Sequence, residues 1–407
     1  MMIINMTRTA SLLLAFGFFF ITACSTSIHT LEDAEEDFET ENYQQALRAV
    51  NGLLNEDPGN DQAGILKGRI LLKLAEQQDQ PDNRINYYLE MKEALDRIET
   101  DDSAILESRD ELITSAWQIE FNQGNQLLNQ PAGIDGENGS ARAIDHFENA
   151  MIFEPDHQEL YHQKATAHYW NGDHHLAIET LRISQEIFDP ISAEKREMLA
   201  YLLLEEGQIK DSIELYESLL MTNPDNEQIK HGLVNAYILD EQHQRSIELL
   251  KELVESQPDN LVYSEALATE LFFHIQSTIT EIEEEGANDQ ELIETLDELM
   301  EDLDLAEENY NRVREDHPDP GEISYITAAF YKNTAGRLLS LADQKSDDLA
   351  TMLQEKAHGL LNTSIPIWNT LAENNPENTE IWRSIYQIYQ QLDMPEEAEE
   401  AQRNANL

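Results

Sequence analysis

The chain has 407 residues, with 81 Asp and Glu against 26 Lys and Arg, and its formal net charge is -55. This balance argues against nucleic acid as a partner, because phosphate binding needs clustered basic side chains, and against direct contact of the folded body with anionic lipid. With 41% apolar residues the chain can bury a core, and its length fits two or three domains or one extended repeat array.

The first 24 residues have the layout of an export signal. Arg8 supplies positive charge, an apolar run extends from Leu12 to Ile21, and small residues precede Cys24. The run is shorter than the roughly 20 apolar residues that span a bilayer. Residues 21–24 (ITAC) resemble the lipobox of bacterial lipoproteins, in which the cysteine is lipidated and becomes the first mature residue. We therefore expect a signal peptide at 1–23 and a lipidated tether at 24–30. Translation is expected to start at Met1 or at Met6.

Cys24 is the one cysteine of the chain, so neither an intramolecular disulfide nor a cysteine-based zinc site is expected. Several acyl chains on one residue anchor a protein stably, because each buried CH₂ contributes about 0.8 kcal/mol. Ser25 follows the cysteine, and in the lipoproteins that this segment resembles such a residue favours the outer membrane over the inner one. The expected location is the outer membrane, with a lipid-anchored body that faces the periplasm.

From about residue 31 to 402, apolar residues recur at helical spacing and strand signals are nearly absent. Four prolines, from Pro155 to Pro258, lie 35, 34 and 34 residues apart in similar turn segments. Upstream of such a proline, a helix carries a small residue and two apolar residues on one face, as at Ser246, Leu250 and Leu253. The pattern predicts stacked helical hairpins, because one hairpin cannot bury both of its faces.

This spacing resembles the tetratricopeptide repeat, a helix-turn-helix unit of about 34 residues. The resemblance implies an all-α, right-handed α-solenoid over 31–407, with about eight repeats, some with lengthened helices, and a C-terminal cap. The cap is expected from Thr379 onward, because the last helix is short and polar. The repeats are expected at 31–60, 61–101, 102–156, 157–190, 191–224, 225–258, 259–318 and 319–376.

Three of the expected repeats are longer than 34 residues. The third carries a glycine-rich loop at 130–140, which reads as a flexible insertion, since it lacks the terminal Glu of a calcium-binding loop. The seventh and eighth run about 60 and 58 residues between prolines, and Pro366 is expected to kink the last long helix or to begin it anew. Steps of four and three predict lengthened paired helices along a seam formed by Leu292, Leu296, Leu299, Leu303, Ala306, Tyr310 and Val313.

The sequence contains none of the motifs typical of common hydrolases, phosphate-binding loops or zinc proteases. Five histidines lie within 157–175, but none stand four residues apart, so we expect structural or surface roles and no metal site. The carboxylates are too numerous for spacing alone to select a catalytic pair. We expect a protein that is not an enzyme and binds no cofactor.

In the family that these repeats resemble, the first helix of each repeat lines a concave groove that holds peptides. The resemblance implies a partner-binding groove that mixes aromatic and polar side chains, although several of these residues could instead pack between repeats. The family's carboxylate-binding pair has a lysine where His231 stands, and the supporting basic residues are missing, so recognition of a free C-terminal carboxylate is not expected. The candidate groove residues are His162, Thr166, Tyr169, Tyr201, His231, Asn235 and Ile238.

Between Glu281 and Glu308 there are 14 acidic residues and no Lys or Arg. The simplest interpretation is a solvated helix face; the alternatives are a surface for a basic partner segment and loose calcium binding. Acidic excess extends over every repeat, and a salt-rich habitat would screen the resulting self-repulsion.

The expected function is therefore noncovalent. The protein is predicted to be an outer-membrane-anchored periplasmic scaffold for protein–protein interaction in an envelope assembly, with protein or peptide partners and with membrane contact only through its lipid. The alternative is an accessory or regulatory lipoprotein of cell-wall or polysaccharide machinery.

Overall fold

The computed structural model describes residues 30–129, 139–189, 191–285, 289–316, 320–345 and 347–406. These residues form eighteen α-helices and one short 3-10 helix, and no strand occurs among them. The predicted all-α class is confirmed. The expected signal peptide, the lipidation site Cys24, the tether up to residue 29, most of the loop at 130–140 and the turn prolines Pro190 and Pro318 lie outside the described residues.

The chain divides into two compact units, Met1–Asn171 and Gly172–Leu407. In the first unit, consecutive helices pack as hairpins, and a 3-10 helix at Pro81–Arg84 precedes the fourth helix. The helices are α1 (Leu31–Glu39), α2 (Tyr43–Glu56), α3 (Asp61–Glu76), α4 (Ile85–Asp96), α5 (Ser103–Leu128), α6 (Gly139–Met151) and α7 (Gln158–Asn171).

The second unit continues the pattern with eleven described helices, each packed against the next one in the chain. They are α8 (His174–Phe188), α9 (Ala193–Glu205), α10 (Ile209–Thr222), α11 (Glu227–Leu239), α12 (His243–Ser256), α13 (Leu261–Glu285), α14 (Asp289–Asp316), α15 (Pro320–Ala342), α16 (Asp347–Asn374), α17 (Thr379–Gln391) and α18 (Pro395–Asn404). These bounds place two helices within each repeat expected from the sequence, and the extent of a single solenoid over 31–407 stays a prediction.

Helix starts and turns follow local sequence signals. Asn226 and Asn378 are N-caps whose side chains accept hydrogen bonds from backbone N–H groups of the first helical turn. The turn between paired helices needs a left-handed residue: Gly207 supplies it with a φ of 72°. Glu241 and Asp393 occupy equivalent turns with a φ of 56° each, although they carry a side chain. Turn chemistry thus fixes where each hairpin folds back.

Four consecutive long helices, α13 to α16, distinguish the second unit. The predicted seam along α14 is confirmed, because its residues from Leu296 to Val313 are at most 3% exposed, and only Leu292 lies outside the described side chains. α16 continues through Pro366 as one helix, so of the two expected effects a new helix start is excluded, and a kink at the proline stays a prediction. Buried Leu361 and Trp368 pack into the core on either side of the proline, and this packing outweighs the loss of one backbone hydrogen bond.

One apolar core runs through the second unit from Val234 on α11 to Ala401 on α18. It holds α13, α15 and α17, the first helices of three successive hairpins, in fixed relation to one another. Within the described ranges, no helix is both long and apolar enough to cross a bilayer.

Candidate functional site

A pocket of about 730 Å³ lies between three helices of the second unit. Its residues stand one turn apart or adjacent on each helix, so each helix contributes one stripe of its surface. α13 provides an aromatic ring and an amide, α15 two basic side chains, an amide and a glycine, and α17 three amides. The lining residues are Phe272, Gln276, Lys332, Asn333, Gly336, Arg337, Gln387, Gln390 and Gln391.

Gly336 leaves the backbone of α15 open to the pocket. The nearest atom to a Cβ added at this position would be Nε2 of Gln391, at 3.8 Å. Glycine inside a helix lowers the stability of the helix by about 1 kcal/mol relative to alanine, so Gly336 makes α15 less stable than alanine would. A larger side chain at this position would extend into the pocket and occupy part of its volume.

Lys332 supplies a positive charge, and no carboxylate of the described residues lies within ion-pair distance of it. Its ammonium group is half-buried and donates a hydrogen bond to Oγ of Ser384 on α17, at 3.2 Å. Burial lowers the pKa of Lys332, and the charge of Glu380 opposes this shift. An anionic group of a ligand would therefore replace water around an incompletely neutralised cation.

Arg337 lies one turn beyond Asn333 on the same helix and is already partly engaged. Its Nη2 donates to Oε2 of Glu283 at 2.8 Å and to Oγ1 of Thr280 at 3.0 Å, and both acceptors belong to α13. A guanidinium carries five N–H donors, and within the described part of the chain only Nη2 is used. Nε and Nη1 are thus free to donate to a ligand.

The amide side chains can hydrogen-bond in both directions. Gln276 donates to Oγ1 of Thr334 at 3.4 Å, and Gln390 donates to the hydroxyl of Tyr386 at 2.7 Å. Side-chain amides offer both a donor and an acceptor, which is what the N–H and C=O groups of an extended peptide require. Phe272 adds an apolar wall to this surface.

Four of the sequence-predicted groove residues lie in the second unit. Tyr201 on α9 is 40% exposed. On α11, His231 and Asn235 are exposed and in contact, with 3.3 Å between Nε2 and Nδ2, while Ile238 is half-buried against the core. None of the four lines the pocket. Their role in a groove stays a prediction.

The other three predicted groove residues lie on α7 in the first unit. Thr166 and Tyr169 are half-buried, and the Thr166 hydroxyl donates to the backbone carbonyl of His162 at 2.9 Å. His162 is only 4% exposed, because it shares a helix face with buried Ala165. Its ring is therefore not part of an open surface.

The predicted groove does not include the pocket residues, because its positions come from repeats of regular length. The pocket is formed by α13 and α15 of the two lengthened repeats and by α17 of the expected cap, which lie outside the repeats of regular length. A usable signal was present: Lys332 and Arg337 follow each other on one helix in a chain with 26 basic residues, and Gln387, Gln390 and Gln391 are spaced for one helix face.

A second polar cluster is completely buried in the first unit and centres on Glu120 of α5. Oε1 accepts hydrogen bonds from Arg84 at 2.8 Å and from the Tyr88 hydroxyl at 2.7 Å. Oε2 lies 2.6 Å from Nδ1 of His146 and 3.3 Å from the Asn149 amide. The cluster ties the 3-10 helix and α4 to α5 and α6.

The hydrogen bonds decide the ionisation of this carboxyl group. Burial alone would raise the pKa of Glu120, but hydrogen bonds from His146, Tyr88 and Arg84 outweigh it, and the pKa lies below its ordinary value. Burial and the neighbouring carboxylate raise the pKa of Tyr88. Glu120 has no exposed surface, so a substrate cannot reach its carboxylate. The cluster contributes to the stability of the fold. Across the described residues, no group of three His, Cys, Asp or Glu side chains is placed to hold a metal ion.

A family model described as the tetratricopeptide repeat matches residues 203–269, from the end of α9 into α13. Residues 203–269 are thus tetratricopeptide repeats. Such repeats are protein-interaction modules and typically non-catalytic, which places the chain in the class of protein–protein interaction scaffolds. No curated protein sequence matches the chain with statistical significance.

Several solved structures are similar to the chain. MamA from Desulfovibrio magneticus RS-1 shows 17% identity over 46% of this chain and 94% of its own, with a TM-score of 0.35. The C-terminal part of a TPR repeat-containing protein from Cytophaga hutchinsonii shows 12% identity over 70% and 93%, with a TM-score of 0.40. YrrB, described as a TPR protein with an unusual peptide-binding site, shows 18% identity over 53% and 96%, with a TM-score of 0.32.

Proposed function

We propose that the second unit binds a segment of a partner protein and that the pocket between α13, α15 and α17 holds an acidic side chain of that segment. The observation that carries the proposal is Lys332, which is half-buried in an otherwise acidic chain and forms no ion pair at contact distance within the described residues. A carboxylate in the pocket gains charge-assisted hydrogen bonds from Lys332 and from the unused N–H groups of Arg337.

The remaining lining residues suit the rest of a peptide. The amides of Asn333, Gln387 and Gln391 can pair with its backbone, and Phe272 can pack against the aliphatic part of an acidic side chain. The long-range field of a chain with net charge -55 repels acidic proteins. Recognition is therefore expected to need the short-range contacts of the pocket.

The test uses the full mature chain and a peptide library in which one Glu is fixed between degenerate positions. Binding is measured by fluorescence polarisation. Replacing Gly336 by Phe places an aromatic ring in the pocket, and replacing Lys332 by Met removes the positive charge. Each change is expected to weaken binding at least about tenfold, equal to about 1.4 kcal/mol.

The matched control is Gly359→Phe on α16, where a new Cβ would meet nothing within 4 Å. This variant is expected to bind the library as the unchanged protein does. Melting temperatures of all variants are compared to exclude unfolding. Absence of binding by the unchanged protein, or equal binding by Gly336→Phe and Gly359→Phe, would refute the proposal.

We further propose that this scaffold works at the outer membrane, facing the periplasm, in an envelope assembly, and that a lipid on Cys24 attaches it there. The support is the lipobox-like segment at 21–24. Changing Cys24 to Ser is expected to release the protein from the membrane fraction and to abolish incorporation of a labelled fatty acid. Continued labelling of the Cys24→Ser variant would contradict the proposed attachment.

A further inference from the structure

A second set of polar side chains lies between α9 and α11, and none of its members lines the pocket. Glu197 and Tyr201 stand one turn apart on α9. Gln228, His231 and Asn235 share a face of α11 in the same way. The side chain of Gln228 donates a hydrogen bond to the carboxylate of Glu197, so the two faces lie opposite each other. Tyr201, His231 and Asn235 belong to the predicted groove.

Tyr216 of α10 supplies a hydroxyl to the same surface. A Cβ added at Gly232 on α11 would lie 2.6 Å from this hydroxyl oxygen, so the glycine lets the tyrosine pack against the helix backbone. Tyr216 is 3% exposed, and its hydroxyl makes no hydrogen bond to another described residue. Burial raises the pKa of Tyr216, and the charges of Glu197 and Tyr201 add to the shift. The hydroxyl therefore stays protonated beside the Glu197 carboxylate and can accept a hydrogen bond from a ligand.

Glu197 is half-buried and forms no ion pair at contact distance within the described residues. The adjacent basic side chains of α9 are engaged elsewhere: Lys195 pairs with Glu194 at 3.3 Å, and Arg196 donates to a serine hydroxyl of α10. Burial raises the pKa of Glu197, the hydrogen bond from Gln228 opposes the shift, and the charge of Glu194 adds to it. A bound cation would favour the ionised carboxylate, because it supplies the opposite charge that this surface lacks.

We propose that the surface between α9 and α11 is a second binding site, which takes a positively charged side chain of a partner protein, such as arginine. The Glu197 carboxylate accepts hydrogen bonds from the guanidinium group, and Tyr201, which is 40% exposed, offers an aromatic ring to the same group. The net charge of -55 attracts basic segments at long range, so charge complementarity favours this class of ligand. The proposal does not depend on the pocket between α13, α15 and α17.

The experiment uses the full mature chain and two peptide libraries, in which Arg or citrulline is fixed between degenerate uncharged positions. Citrulline has nearly the shape of arginine and no charge, so the ratio of the two affinities reports on the charge. Binding is measured by fluorescence polarisation at pH 8, where ordinary histidine side chains are neutral. The unchanged protein is expected to bind the Arg library at least about tenfold more tightly. Glu197→Gln is expected to weaken Arg binding about tenfold, equal to about 1.4 kcal/mol, and to leave citrulline binding unchanged.

The matched control is Glu194→Gln, which removes an equal charge from the same helix at a side chain that is 82% exposed. Both variants change the long-range field of the protein alike, so Glu194→Gln is expected to retain the preference for Arg, as is Gly336→Phe in the pocket. Melting temperatures of all variants are compared to exclude unfolding. Equal losses in Glu197→Gln and Glu194→Gln, or no preference for Arg in the unchanged protein, would disprove the site. A loss in Gly336→Phe would assign Arg binding to the pocket and would also overturn the proposal.

Discussion

The buried carboxylate of Glu120 offers the sharpest test of what holds the first unit together. Replacing Glu120 by Gln preserves the shape of the side chain and removes its charge. The new amide nitrogen is a donor, and the atoms around both carboxylate oxygens include donors from Arg84, Tyr88 and Asn149. At least one donor is then left facing another donor, and Arg84 loses its buried counter-charge.

The size of the effect follows from the burial of the pair. The side chains of Arg84 and Glu120 are 8% and 0% exposed, at 2.8 Å from each other. Removing one partner of such a pair leaves an uncompensated buried charge and costs about 3–5 kcal/mol. Replacing both partners, as in Glu120→Leu with Arg84→Met, leaves no charge behind, so its cost is expected to be smaller than that of Glu120→Gln alone.

The assay is hydrogen exchange of the backbone amides of α5 and α6 in the full chain at increasing urea concentrations. The control, Glu111→Gln, removes a charge from an exposed position on α5 and is expected to change the free energy of opening by less than about 0.5 kcal/mol. If Glu120→Gln changes it no more than Glu111→Gln does, the buried ion pair is not what stabilises these helices.

Four further outcomes are expected. The pKa of Glu120 in the folded protein lies below its ordinary value of 4.5, so its contribution to stability is complete above pH 4.5 and is lost as the pH falls through the folded pKa. Hydrogen exchange of the α5 amides at decreasing pH checks this, and Glu120→Gln should abolish the pH dependence. Gly124→Ala should destabilise the protein by about 1–3 kcal/mol, because its Cβ would lie 2.6 Å from the Phe147 ring, whereas Gly52→Ala, with open space, should stabilise it slightly in urea unfolding. Leu303→Ala should cost about 2–5 kcal/mol in the same assay, since Leu303 is 1% exposed in the α14 seam; a smaller loss would mean that the seam is loosely packed. Sodium chloride between 0.1 and 1 M should raise the melting temperature, because the screening length falls from about 10 to about 3 Å; a constant melting temperature would show that self-repulsion is unimportant.

The sequence was sufficient to predict the helices and their pairing. The apolar residues of α14 recur at steps of four and three, and such a pattern has one physical solution, a helix with a buried stripe from Leu296 to Val313. Asn226 and Asn378 mark helix starts by chemistry that acts over a few residues. Signals of this kind are local, so they can be read without knowing the tertiary structure.

The polar contacts could not be predicted in the same way. Glu120 meets Arg84 and His146 across sequence separations of 36 and 26 residues, and in the sequence it is one of 81 acidic residues. The pocket is likewise assembled from α13, α15 and α17, which are far apart in sequence. Pro366 shows the converse: the local preference to end a helix is overridden by burial of its neighbours, which the sequence does not display.

The acidic composition of the chain makes the ammonium group of Lys332 in the pocket unusual. The chain has about three acidic residues for each basic one, so a lysine without a carboxylate at ion-pair distance is not the arrangement that charge balance alone would produce. Glu120, in contrast, is a buried carboxylate whose two oxygens are hydrogen-bonded by four side chains. Arg337, satisfied at Nη2 alone, and Lys332, bonded to a neutral hydroxyl, lack that completeness. Both side chains are only partly buried, so water can reach their remaining donors, and in the proposed complex an anionic group of the ligand takes the place of that water.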